Sequence, residues 1–184
     1  MTSIPLIPLC ALLAVAVWHD VAARRIPNAV VFPGMLAALA LHLLLPAALG
    51  GLGIASALGG LAIGLAILMP MYVLRLMGAG DVKLLAMVGA FVGAGQIVAV
   101  ALATLIAGGV LALLVAAWQG SLRRLLGNTR QMMVHGGMSA LAGFMTPAVA
   151  PAAPASGRLP YAVAIAAGTG ACLAWLQLVG EWPL

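Results

Sequence analysis

Two aspartates are the residues of this sequence whose type and position are suited to chemistry. Asp20 and Asp81 are, together with Glu181, the three acidic residues among 184. Each adjoins a long apolar stretch, where an ionisable side chain is costly, and such a residue is a candidate functional group together with its nearest partner. We therefore interpret Asp20 and Asp81 as a pair.

The chemistry expected of such a pair is acid–base catalysis. Two carboxyl groups that lie close together do not both ionise easily, so one holds a proton while the other acts as a base. Such a pair can activate water, protonate a leaving amine and cleave a peptide bond without a metal or a nucleophilic side chain. We expect no metal and no cofactor.

Each aspartate also has a purely structural interpretation. Asp81 follows Gly78-Ala79-Gly80, so it can be the N-cap of the next helix, although the two glycines also permit positive φ and close backbone approach. Asp20 follows the first apolar segment, at a helix C-terminus where the macrodipole disfavours a negative charge. An ion pair between Asp20 and Arg24 contributes only about 0.3 to 0.5 kcal/mol, which does not account for an acid in this position.

The composition is that of a membrane protein with several spans. Charged residues make up 6% of the chain and hydrophobic residues 65%, whereas a soluble domain is about 25% charged. We predict an all-α bundle of about six transmembrane helices, forming a single membrane-embedded domain over residues 1–184. The net charge of +5 comes from short basic clusters between apolar runs, which indicates topology and not binding to nucleic acid.

The connections between the apolar segments place every basic residue on one side. By the positive-inside rule this side is the cytoplasm, so both termini face outward, and Glu181 lies outside. A seventh span over 132–150 is rejected, because it contains His135 and Pro147 and would put Arg158 on the opposite side from Arg123. The predicted segments are Ile4 to Trp18, Ala29 to Leu45, Gly50 to Leu74, Val82 to Gly95, Ile97 to Trp118 and Tyr161 to Val179.

Several smaller features refine this arrangement. Segments one and four are short, which predicts that both aspartates lie at or slightly below the inner interface. In the loop 119–159, residues 121–133 are predicted to lie on the membrane surface and residues 146–157 to form a flexible linker. Gly60-xxx-Gly64 and Gly89-xxx-Gly93 are spaced for close helix packing. Cys10 and Cys172 are expected to be buried and to form no disulfide.

The residues around the two aspartates resemble the motifs of the type IV prepilin peptidases, also called leader peptidases. In that family an Asp precedes a basic loop containing Ile-Pro-Asn, and a Gly-x-Gly-Asp motif with a nearby Lys begins a later helix. A stretch near the final helix, residues 157–162, is also similar to the family. The matching residues here are Asp20 with Arg24-Arg25-Ile26-Pro27-Asn28, and Gly78-Ala79-Gly80-Asp81 with Lys83.

The resemblance implies an aspartic protease of the prokaryotic inner membrane, with Asp20 and Asp81 as the catalytic dyad. Its partners would be a prepilin-like substrate, cleaved at the cytoplasmic face behind a short basic leader, and the lipid bilayer. The chain lacks the family's cytoplasmic region with paired cysteines, so it resembles the short form found in tight-adherence pilus systems and archaeal preflagellin processing. Methyltransferase activity is not expected.

The remaining motif residues have structural interpretations that we prefer. Pro27 ends any helix and Asn28 caps segment two. Lys83, Arg24 and Arg25 fix the topology and contact anionic headgroups.

Two other classes of function stay open. A small proton- or cation-coupled transporter can use two carboxylates as a relay, but it predicts acids nearer the middle of the spans and often an internal repeat. A purely structural membrane subunit leaves Asp20 unexplained. The sequence specifies neither the particular pilin nor the oligomeric state.

Overall fold

The computed structural model describes residues 4–74, 77–118 and 160–180, whose regular elements are helices joined by short connections, with no strand among them. A short 3-10 helix, Ala47–Leu49, precedes the third helix. The prediction of an all-α fold is therefore confirmed. The helices are α1 Leu6–Ala23, α2 Asn28–Leu44, α3 Ile54–Val73, α4 Ala79–Val92, α5 Ile97–Trp118 and α6 Tyr161–Val179.

Four of these helices are long and apolar enough to cross a membrane, namely α1, α3, α5 and α6. The apolar helix α2 is slightly shorter, with 17 residues. Helix α4 has 14 residues and covers only about 21 Å at a rise of about 1.5 Å per residue. The length and composition of these helices are those of a membrane protein with several spans.

The predicted boundaries are correct for α5 and α6, differ by one residue for α2, and are wrong for α1, α3 and α4. Helix α3 begins at Ile54, four residues after the predicted start at Gly50. Helix α1 continues five residues beyond Trp18, to Ala23, and Arg24 ends it in the left-handed region at φ 52°. Hydropathy falls after Trp18, but the residues up to Ala23 include no Gly or Pro that would break the helix, so the helix continues. Helix α4 begins at Ala79, so Gly80 and Asp81 belong to its first turn.

Helix α4 is the centre of the fold. Every residue from Leu84 to Val92 is buried, as is Val82. The helix packs against α1, α2, α3 and α6. A helix that is apolar on all sides is stable only when it is surrounded by other apolar surfaces. Because its neighbours supply those surfaces, the length of α4 need not match the thickness of a bilayer.

Glycines allow α3 and α4 to approach closely. A Cβ added at Gly60 would overlap the carbonyl oxygen of Gly89, and one at Gly89 would overlap the carbonyl oxygen of Gly60. One helical turn further along α3, a Cβ at Gly64 would lie 2.8 Å from the carbonyl oxygen of Leu85. The predicted role of these glycines in helix packing is confirmed.

A buried histidine connects the C-terminal ends of α2 and α4. His42, 2% exposed, pairs through Nε2 with the carbonyl oxygen of Phe91 at 2.9 Å. Its Nδ1 accepts a hydrogen bond of 3.2 Å from the N–H of Leu52. Because Nδ1 is the acceptor, Nε2 carries the proton and donates to Phe91. This role of His42 was not predicted from the sequence.

Contacts divide the chain into two units, Met1–Gly108 with Pro160–Leu184, and Gly109–Leu159. Of the second unit the structure describes residues 109–118, the C-terminal part of α5. The single domain therefore stays a prediction. The predictions for the loop 119–159, for the rejected seventh span and for Glu181 concern residues outside the described ranges. Cys172 is buried as expected, but Cys10 is exposed on α1, which corrects that expectation.

Candidate active site

Ends of four helices meet around the two aspartates. Asp20 lies in the last turn of α1 and accepts a hydrogen bond from the N–H of Ala162, at the start of α6. Asp81 lies in the first turn of α4. Lys83 connects this turn to Asn28, the first residue of α2. The structure thus brings both predicted catalytic residues to one end of the first unit.

Asp20 is buried, with 7% of its surface exposed. Its Oδ2 accepts the Ala162 N–H at 2.9 Å, although α1 presents the negative end of its dipole at this position. Ala162 is the second residue of α6, where backbone N–H groups have no partner within the helix. The positive end of α6 therefore offsets the unfavourable end of α1. The sequence showed the cost of Asp20 but not the group that offsets it.

Asp81 is the third residue of α4 and not its N-cap, which is Gly78. The half-buried Asp81 carboxyl reaches back and accepts a hydrogen bond from the Gly78 N–H at 3.3 Å. This is the acid's half of a capping box, in which the residue at the third position satisfies the N-cap N–H. The predicted N-cap role of Asp81 is corrected accordingly.

The electrostatic environment of Asp81 favours its protonated form. This residue precedes the apolar stretch of α4 that starts at Val82. The pKa of Asp81 is raised from 3.8 to about 6: burial is the largest cause, the negative charge of Asp20 adds to it, and the hydrogen bond from Gly78 acts in the opposite direction. The charge of Asp20 therefore reaches Asp81, and two carboxyls that feel each other's charge do not both ionise easily.

The glycines of the motif allow a neighbouring segment to approach their backbone closely, and they do not adopt unusual dihedral angles. Gly78 has φ −77°, so the expectation of positive φ in this turn is wrong for that residue. A Cβ added at Gly80 would lie 3.2 Å from Cβ of Ile26. The loop after α1 consequently packs directly on the turn that carries Asp81, which joins the two sequence motifs into one structure.

Lys83 and Asn28 make a contact that the sequence analysis did not assign. The Lys83 Nζ donates to Asn28 Oδ1 at 3.2 Å and lies 5.2 Å from the centre of the Phe32 ring. Asn28 is not the N-cap of α2, because Pro27 occupies that position with extended dihedral angles. Lys83 therefore joins the first turns of α4 and α2. Arg24 and Arg25 are exposed after α1, and their contact with headgroups stays a prediction.

Two residues at the start of α6 belong to this site and were missed. Besides Ala162, the Tyr161 side chain lies near enough to Asp81 to interact with its charge. Its ring packs on Gly108 of α5, where an added Cβ would lie 2.8 Å from Cε2. The resemblance of residues 157–162 to the family was the only signal for them. Among the described residues, no three His, Cys, Asp or Glu side chains are grouped to hold a metal ion.

Comparison with known proteins supports the resemblance found in the sequence. The profile of the type IV leader peptidase family matches residues 7–113, a range that includes both aspartates, the loop after α1 and the turn before α4. No curated protein and no solved structure matches the chain.

Proposed function

The chain belongs to the type IV leader peptidase family, and from this premise we propose that it is a membrane aspartic endopeptidase that cleaves prepilin-like precursors. The observation that carries the proposal is the interaction of a buried Asp20 with Asp81 at one end of the helices. Charged groups at such positions are costly, and the hydrogen bonds to Ala162 and Gly78 do not require two acids beside each other.

In the proposed mechanism the dyad works with one shared proton. The ionised carboxylate removes a proton from a water molecule, whose oxygen attacks the scissile carbonyl carbon. The protonated carboxyl hydrogen-bonds to the carbonyl oxygen and stabilises the charge that develops on it. The leaving amine then takes a proton as the C–N bond breaks, so the reaction consumes one water and leaves the dyad with its single proton.

The substrate and the orientation follow from the same proposal. With the basic loops in the cytoplasm, the dyad faces that side and meets the short basic leader of a pilin-like protein before it is assembled. The chain then acts as a short-form leader peptidase without methyltransferase activity. The transporter alternative gains no support, since the aspartates occupy helix ends and the family match is to peptidases.

The test is co-expression with a candidate prepilin and observation of the size shift on a gel. Asp20→Asn and Asp81→Asn should each abolish cleavage while the protein still accumulates in the membrane. Glu181→Gln removes the third acid of the chain and serves as the matched control, with cleavage expected to continue. Complete processing by either Asp→Asn variant would remove that residue from the dyad.

A further inference from the structure

The side chain of Lys83 extends from α4 to one face of α2. Its Nζ donates a hydrogen bond to Asn28 Oδ1 at 3.2 Å and lies 5.2 Å from the centre of the Phe32 ring, within the roughly 6 Å range of a cation–π interaction. Asn28 and Phe32 are four residues apart in α2, so they are neighbours on its surface. The ammonium group is therefore held by an oxygen and a ring of the same neighbouring helix.

The charge of Lys83 does not act directly on Asp81. The two residues are two positions apart in α4, and side chains with this spacing do not face each other on a helix. Among the described residues, burial, the charge of Asp20 and the hydrogen bond from Gly78 determine the pKa of Asp81, and Lys83 does not contribute. Any effect of Lys83 on the dyad must therefore pass through α2.

Asp81 lies between two contacts that α4 makes with the chain around the connection from α1 to α2. Before Asp81, a Cβ added at Gly80 would lie 3.2 Å from Cβ of Ile26, which belongs to this connection. After Asp81, Lys83 binds Asn28, the first residue of α2. The turn that carries Asp81 is thereby attached at two points to one short segment.

The same segment begins at the turn that carries Asp20. Arg24 ends α1, and its N–H donates to the carbonyl oxygen of Asp20 at 2.9 Å. Helix α2 begins four residues later, at Asn28, and Pro27 before it has a φ that its ring restricts. This segment therefore has little conformational freedom. The contacts that α4 makes with it help to set the distance between the two carboxyls.

We propose that Lys83 is a positioning residue of the dyad: by binding one face of α2, it holds Asp81 at a fixed distance from Asp20. The inference rests on the proposed peptidase function. It differs from the topological role expected of Lys83 from the sequence, because it depends on the contact with α2 and not on the side of the membrane or on headgroups.

Two substitutions remove the contact from opposite sides. Lys83→Met removes the donor and the charge, whereas Asn28→Ala removes the acceptor and no charge. With a prepilin peptide as substrate, Lys83→Met should lower kcat about tenfold with KM nearly unchanged, because a displaced catalytic group slows the chemical step. Asn28→Ala should lower kcat somewhat less, since the Phe32 ring remains.

The double variant and a conservative variant are the matched controls. The double variant should be no slower than Lys83→Met, because both changes remove one contact. Lys83→Arg keeps a cationic donor and should retain most of the activity. Losses that multiply in the double variant, or full activity of Asn28→Ala, overturn the proposal.

The pH dependence of kcat/KM distinguishes positioning from a direct effect of charge. When the carboxyls move apart, the charge of Asp20 raises the pKa of Asp81 less. The high-pH limb should therefore move to lower pH by about half a unit in both Lys83→Met and Asn28→Ala. Loss of a cation that acts directly on Asp81 would move the limb to higher pH, and in Lys83→Met alone. That result, or an unmoved limb in both variants, overturns the proposal.

Carbon-13 NMR in detergent gives a readout that needs no activity. Cell-free synthesis with aspartate labelled at the side-chain carboxyl carbon marks Asp20 and Asp81, the two aspartates of the chain, and Asp20→Asn identifies the signal of Asp81. The midpoint of that signal should lie at lower pH in Asn28→Ala than in the wild type, and an equal midpoint overturns the proposal. If the wild-type chain cleaves no prepilin, the proposed function fails, and this titration still decides whether the contact positions the two carboxyls.

Discussion

Asp20 and Asp81 show how the same side chain acquires different properties from its surroundings. Asp20 is buried at the negative end of one helix dipole and bonded to the positive end of another. Asp81 is half-buried in the first turn of its own helix. The sequence identified both residues because acids are rare in this chain, but it carries no side-chain signal for the Ala162 N–H.

The raised pKa of Asp81 predicts the high-pH limb of activity. A bell-shaped profile of kcat/KM should fall as the pH rises through about 6, because Asp81 loses the shared proton there. The two apparent values belong to the pair. This pH profile is measured by assays in detergent, with size-exclusion chromatography at each pH as a control for unfolding. Activity that keeps rising up to about pH 8 would contradict the assignment of the proton.

The raised pKa of Asp81 also lowers the stability of the folded protein at neutral pH. Between pH 3.8 and about 6 the folded state holds a proton that the unfolded chain has lost, so the free energy of unfolding falls as the pH rises through this window. Asp81→Asn carries no charge, and its side-chain oxygen can still accept the Gly78 N–H. At pH 7 the free energy of unfolding of this variant should therefore be roughly 1 to 3 kcal/mol higher than that of the wild type.

Thermal unfolding in detergent at two pH values checks this expectation. The gain should be present at about pH 7 and nearly absent at about pH 4, where Asp81 is protonated in the folded state. Glu181→Gln, which also removes one negative charge, should show no such dependence. A variant less stable than the wild type at neutral pH would mean that the ionised carboxylate supports the fold.

At the scale of the elements, apolar runs predicted all six described helices but misplaced several of their ends. The residues after Trp18 are polar enough to end an apolar run but not to end a helix, so Asp20 was placed after α1 and lies within it. Likewise Ala79 and Gly80 read as a turn and form the first turn of α4. Packing against neighbouring helices, which hydropathy does not register, decides such boundaries.

The crossing of α3 and α4 offers a matched pair of substitutions. Gly60→Ala places a methyl group against the backbone of Gly89, where no side chain can move aside, and should destabilise by at least about 1 to 3 kcal/mol. Gly170→Ala on α6, with nothing within 4 Å of the added Cβ, should stabilise by up to about 1 kcal/mol. Equal melting temperatures for the two variants in detergent would mean that the helices are not in contact at Gly60.

At the scale of the whole molecule, the orientation proposed from the basic loops can be measured directly. Cysteines introduced near Gly50 and Gln96 should react with an impermeant thiol reagent in intact cells, since both lie between helices at the end opposite to the dyad. Cysteines at Ser121 and Ser156 should react only after permeabilisation. The background variant is Cys10→Ser with Cys172→Ser. External labelling at Ser156 would restore the seventh span.

The hydrogen bond between Ala162 and Asp20 joins residues 142 positions apart in the chain, and this separation has a consequence for biogenesis. A ribosome adding 5 to 20 residues per second needs roughly 7 to 30 seconds between the two codons. Until then Asp20 and Asp81 are present in the membrane without the helix that orders one of them. The proposed peptidase should therefore be inactive until α6 has been inserted.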